Sequence, residues 1–222
     1  MSMTRLASPN ARPDSEPTAG RDPIRASQHT FRALLTALST PGSLHPLGVH
    51  PAVAQAGPAG NPWLASALVA LLDYEVTLAV DASMPARQAL VDLLHRRTRT
   101  SLASLEQADF VVADILAMDP ALPGRLKRGS LEYPDDSATL LVEVESLAST
   151  SQAGAETTVR GPGVDGERAA WLPGLTDSFL AARDEANRHY PMGIDLFVID
   201  HAGQVMGLPR TAVVSRRSGR AA

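Results

Sequence analysis

Apolar residues in this chain recur at helical spacing in some stretches and alternate in others, and the changes of period mark its elements. Phe31, Leu34, Leu35 and Leu38 fall on one helical face behind Ser27, a hydroxyl suited to an N-cap, so a helix is predicted that ends at Pro41-Gly42. Residues 43–60 are rich in Pro and Gly and read as loop, with a short extended piece over 44–47. Asn61 can cap a second helix with Pro62 at its first position, where the missing N–H costs nothing. Residues 63–72 are apolar nearly all round, so this helix is predicted to be buried.

The period then shortens. Residues 75–80 and 110–113 read as strands on either side of a third helix over 85–97, whose Leu90, Leu93 and Leu94 face inward. Residues 114–130 look irregular, with at most one helical turn. Over 138–145 the pattern alternates: Leu140, Val142 and Val144 point one way, Glu143 and Glu145 the other. A strand over 157–160 leads into Gly161-Pro162-Gly163, and another can follow the turn. A fourth helix over 175–189 turns Phe179, Ala182 and Ala186 inward. The continuous apolar run 194–199 reads as a buried strand, 201–204 as a hairpin turn at Gly203, and 205–206 and 211–214 as the returning strand pieces.

Helices interleaved with strands predict an α/β fold: a three-layer arrangement of a mixed sheet with helices on both faces. One domain is expected over residues 25–216, with disordered tails at 1–24 and 217–222. A chain of 222 residues buries enough surface to fold without disulfide or metal.

Composition narrows the chemistry. There is no cysteine, which excludes a thiolate zinc site, an iron–sulfur cluster and a Cys nucleophile in this chain. A net charge of -4 disfavours nucleic acid as a partner. No apolar run approaches the roughly 18 residues of a membrane span, and no apolar segment follows Arg5 as a secretory leader requires. A cytoplasmic location is expected. Lys127 is the one lysine among 20 basic residues, so a Schiff-base or P-loop lysine would have to be Lys127.

Several groupings suggest chemistry. Residues 161–166 match G-x-G-x-x-G, but a poor helix former follows, so they read as a tight turn between strands. The histidines lack metal-ligand spacing, and no metal or cofactor is expected. Glu143 and Glu145 can form a carboxylate pair; a solvated sheet face explains them as well and is the preferred reading. Arg125, Lys127 and Arg128 form a basic loop able to hold a phosphoryl group, though a solvated loop or an ionic contact with a partner subunit is the preferred reading. Arg210 leaves a corner stiffened by Pro209, which suits anion recognition or a buried pair with Asp195 or Asp73. Arg160, Asp195 and Arg210, with Arg32 and Asp73, make up the candidate ligand or interface set, and the catalytic residues stay unassigned.

Taken together, FRALLTALSTPG at 31–42, LLDYEVTL at 71–78, Gly129-Ser130 with ATLLVEV at 138–144, GPGV at 161–164, YPMGIDL at 190–196 and LPRTAVV at 208–214 resemble the H subunits of bacterial carbon–phosphorus lyase. Two positions depart from that pattern: Ser137 stands where the family commonly has glycine, and Ala212 where it has threonine. The resemblance implies a fold like the large domain of the pyridoxal-phosphate-dependent transferases without the cofactor. It implies a role in phosphonate use, in which the G, H and I subunits help install a phosphonate on the ribose C1 of ATP with loss of adenine. A separate radical subunit with an iron–sulfur cluster then cleaves the C–P bond. It further implies direct docking on the I subunit, assembly with the G and J subunits, and a homodimer in isolation. Two other readings stand beside it: a self-sufficient enzyme binding a small phosphate or nucleotide, and a pyridoxal enzyme using Lys127.

Overall fold

The structure, a computed structural model, describes residues 22–56, 60–148 and 156–217. Helix α1 (Pro23–Ser39) starts where the Asp22 carboxylate accepts the amides of Ile24 and Arg25, with proline at the first position. It therefore begins about a turn before Ser27 and takes in two residues assigned to the tail. Its inner face is rotated from the one the leucine spacing suggests. Ala26, Thr30, Leu34 and Ala37 are buried, whereas Phe31 and Leu35 remain 44% and 51% exposed.

Short pieces follow: β1 (His45–Pro46) and α2 (Pro51–Ala54). The Asn61 side chain accepts the amides of Trp63 and Leu64 to cap α3 (Pro62–Leu71), as its sequence predicts. Then come β2 (Thr77–Val80), α4 (Arg87–Thr98), β3 (Ser101–Leu102) and β4 (Phe110–Asp114). A single turn, α5 (Leu122–Arg125), interrupts the irregular stretch before β5 (Thr139–Val144). The remaining elements are β6 (Glu156–Arg160), β7 (Arg168–Ala170), α6 (Asp177–Ala186), β8 (Asp195–Asp200), β9 (Gln204–Leu208) and β10 (Val213–Arg217).

The main sheet is mixed and seven-stranded, in the order β1-β9-β8-β5-β4-β2-β3. β8, β5, β4, β2 and β3 are parallel neighbours; β9 and β1 add antiparallel at one side. Strand alternation sorts the core into two layers. Leu78, Val80, Val112, Leu141, Phe197 and Ile199 face a layer holding α1, α3 and α4. Val111, Ala113, Leu140, Val142, Leu196 and Val198 face the other, which holds α6. Gly207 lets α1 lie directly on β9, since a Cβ there would come within 2.5 Å of the Ala37 backbone.

The second face is not covered by helices alone. β10, β6 and β7 form a separate antiparallel sheet, whose Val159, Ala170 and Val214 share a core with α6. This corrects the reading of 211–214 as a returning strand of the main sheet: Val213 pairs with Arg160, not with β8 or β9. Residues 161–166 are the turn between β6 and β7, with Gly161, Gly163 and Gly166 all at positive φ. Gly163 is fixed by contact as well, because a Cβ there would overlap the Ser39 carbonyl oxygen at the end of α1.

Candidate functional site

The parallel strands give the sheet two ends with different chemistry. Before the strands begin, loops are tied down by ion pairs. Asp195 at the start of β8 accepts from Arg210 Nη2 at 2.8 Å and from the Arg210 amide at 2.7 Å. Arg210 Nε lies 3.4 Å from the same carboxylate. Nη1 donates to the carbonyls of Pro134 and Pro191, and Nη2 also to the Ser137 hydroxyl at 2.6 Å. All five N–H donors of the guanidinium are thus directed at protein oxygens. Of the partners the sequence offered Arg210, the structure selects Asp195. Asp73 is exposed, its carboxylate turned to the Glu75 amide. Ser137, the departure from the family pattern, supplies part of the clamp.

The other candidates do not converge on this pair. Arg160 forms an ion pair with Glu167 across the β6–β7 turn. Arg32 lies exposed on the outer surface of α1. In the basic loop, Arg125 pairs with Glu106 and Arg128 donates to the Gly124 carbonyl. Lys127 Nζ sits 2.6 Å from Asp109 and 2.7 Å from Asp136. Partial burial works against the ammonium, yet these carboxylates hold its pKa above the usual lysine value. A carbonyl cofactor reaching this amine would have to displace both.

Arg183 carries no sequence signal and is 1% exposed on α6. It donates to the carbonyls of Ala212, Leu208 and Pro209, tying the end of β9 to the segment entering β10. Burial pushes its pKa down to about 10, so it stays charged at neutral pH. His45 joins the hydroxyls of Thr40 and Ser43 in a local network after α1. Burial, followed by the nearby Arg168 charge, lowers its pKa.

Beyond the strands, at the carboxyl edge, the arrangement changes. All five strands run parallel, but β3 is added on one side of β2 and β4, β5 and β8 on the other, so the order of addition switches sides between β2 and β4. Crevices of this kind are where open α/β sheets take ligands. Asp81 and Asp114 stand at the ends of these two strands. One strand over, Glu143 points into the helical layer, its side chain only 6% exposed. Its Oε1 lies 2.5 Å from Nε2 of His201, on the β8–β9 turn. His201 is 47% exposed, with Nδ1 3.7 Å from Glu145. Burial raises the pKa of Glu143, and the bond to His201 only partly opposes this. Oε2 of Glu143 is buried without a hydrogen-bond partner among the described residues.

Glu143 therefore departs from the solvated face read from the alternation. The direction of the side chain agrees with the sequence; helices cover that face. The pair joins residues 58 apart, a contact no local pattern announces. Chemically it is a half-exposed imidazole oriented by a buried carboxylate, with its outer nitrogen toward the exposed Glu145, an arrangement able to pass a proton. On the opposite face, Ile115, Leu116, Met118, Pro120 and Phe179 line a mostly apolar cavity of about 170 Å³. No group of three or more His, Asp or Glu among the described residues is placed to hold a metal ion. No helix among them is long and apolar enough to cross a membrane.

Residues 18–215 match the family model described as bacterial phosphonate metabolism protein (PhnH). The chain is 32% identical over 195 residues to the putative C-P lyase subunit protein HtxG of Stutzerimonas stutzeri, covering 85% of each. It is 30% identical over 197 residues to the alpha-D-ribose 1-methylphosphonate 5-triphosphate synthase subunit PhnH of Rhizobium meliloti (strain 1021), covering 88% of this chain and 93% of that protein.

Proposed function

The chain belongs to the PhnH family of bacterial phosphonate metabolism proteins, and from that premise we propose that it is a subunit of a carbon–phosphorus lyase assembly in phosphonate catabolism. It assists transfer of an alkylphosphonate to the ribose C1 of ATP with loss of adenine. The I subunit is its direct partner, with G and J in the same assembly, and in isolation the chain forms a homodimer in the cytoplasm. Its sheet is a relative of the large domain of pyridoxal-phosphate-dependent transferases, kept as a scaffold.

The observation that carries this reading is the match over residues 18–215, with relatives covered over 85% and 93% of their own lengths. The side-chain geometry supports a subunit rather than a self-sufficient enzyme. Three of the cations offered for gripping a phosphoryl group are engaged by carboxylates: Arg210 by Asp195, Arg160 by Glu167, Lys127 by Asp109 and Asp136.

Co-expression with the G, I and J subunits followed by gel filtration tests the proposal. Co-elution with the I subunit is expected. Separate elution at low salt would remove the docking claim. Calorimetric binding of ATP or an alkylphosphonate by the isolated chain would favour the self-sufficient reading instead.

A further inference from the structure

We propose that Glu143 and His201 form a proton-exchange site at the carboxyl edge of the sheet, and that its ligand is a protonatable nitrogen base rather than a phosphoryl group. The geometry is that of an oriented imidazole. Glu143 is fixed in the middle of the sheet by pairing on both sides, to Asp114 of β4 and Ile199 of β8. Its Oε1 holds Nε2 of His201 at 2.5 Å, which leaves Nδ1 as the unbonded nitrogen of a half-exposed ring, 3.7 Å from the exposed Glu145 carboxylate. A carboxylate binding one ring nitrogen sets the tautomer and the direction of the other.

A purely structural pair explains less. Burying a carboxylate is costly unless its oxygens are satisfied, and Oε2 of Glu143 is buried with no partner among the described residues. The neighbouring Asp200 shows what a structural carboxylate looks like here: it accepts the amides of Leu147, Ala202 and Gln204. Glu143 lies on the same edge and takes only the imidazole, a half-exposed group at the rim.

Charge selects the ligand. Asp114 and Glu145 flank the pair, and Asp81 stands one strand beyond Asp114. On the helical side, Arg87 directs its Nε to the Val80 carbonyl, and Asn61 of α3 donates to the Asp200 carbonyl. α4 starts without a side-chain cap, but its partial charge of about half a unit is outweighed by several carboxylates. Phosphate or phosphonate is repelled from such a rim, whereas a base gains by arriving at Nδ1 and leaving as its conjugate acid. In that exchange the Nδ1–H bond of the imidazolium breaks as an N–H bond forms on the ligand. The positive charge passes to the ligand while Nε2 stays bonded to Glu143.

The isolated full chain suffices for the test, so its outcome is independent of whether the chain co-elutes with other subunits. Histidine side-chain signals of ¹⁵N-labelled protein are followed near neutral pH while imidazole, inorganic phosphate or methylphosphonate is added, with the other histidines as internal controls. Imidazole is expected to shift the His201 signals saturably, and the two anions to leave them in place. Glu143→Gln should weaken imidazole binding by about tenfold, the worth of a charge-assisted hydrogen bond. Should that variant fail to fold, the backbone amide signals of Ala202 and Gly203 are read instead: they must follow imidazole in the wild type and stop doing so in His201→Gln with spectral dispersion intact. A saturable response to either anion, silence toward imidazole, or unchanged affinity in Glu143→Gln overturns the proposal.

Discussion

Replacing Arg210 with alanine asks whether this guanidinium holds the fold. In the structure its side chain and that of Asp195 are only 16% and 21% exposed. The substitution strands the Asp195 carboxylate, the carbonyls of Pro134 and Pro191 and the Ser137 hydroxyl at once. Removing one partner of a buried pair costs about 3–5 kcal/mol, and water reaching the remaining carboxylate brings the expected loss to about 3 kcal/mol. With a urea dependence of about 3 kcal/mol per molar, the unfolding midpoint should fall by about 1 M. Trp63 and Trp171 provide the fluorescence signal. Arg210→Lys should recover little, because one ammonium cannot reproduce a planar fork reaching four residues. A cycle with Asp195→Ala should be non-additive by about 1–2 kcal/mol. Were Arg210→Ala to stay within about 0.5 kcal/mol of wild type, the clamp would be ornamental and the reasoning wrong.

Two further outcomes follow from features described above. Gly163→Ala, which forces a Cβ into the Ser39 carbonyl at φ 84°, should destabilise by about 3 kcal/mol. Gly166→Ala, at φ 65° with open space around it, should cost about 1 kcal/mol; thermal melts that rank the two equally would contradict the packing argument. Burial holds the Glu143 carboxyl above its ordinary range, so the folded state binds that proton more tightly than the unfolded chain does. Its contribution is present below the unfolded pKa and lost as pH rises through the folded one, so Glu143→Gln should gain on wild type as pH rises above the unfolded carboxyl value of about 4.3. Urea unfolding at several pH values reads this, and a pH-independent difference would disprove it.

Local chemistry made much of this legible. Asn61-Pro62 announced α3, Gly203 the β8–β9 turn, and the 138–145 alternation gave each side chain of β5 its direction. Partnership across the chain was hidden. Phe31, Leu34, Leu35 and Leu38 suggested a stripe of which only Leu34 lies fully buried, because the rest of the inner face of α1 is built from the small residues Ala26, Thr30 and Ala37. The valines of 213–214 look the same whether they extend the main sheet or pair with β6, and only tertiary packing decides. Arg183 reads as a surface charge, yet it lies in the core beneath three carbonyls. The Glu143–His201 contact needs β5 and β8 to be neighbours, which is a fact of topology rather than of any motif.

The brevity of the outermost strands bears on how this protein can associate. β1 and β3, which close the main sheet on its two sides, are two residues long. Exposed strand borders are templates for adding another chain, and a border this short offers only a couple of backbone hydrogen bonds. A continuous sheet running from one molecule into the next therefore has almost nothing to grip on the main sheet. Assembly must rest there on side chains, and the exposed Ile24, Phe31 and Leu35 of α1 show where apolar area is open on the helical layer. The same shortness guards the main sheet against edge-to-edge stacking into fibres.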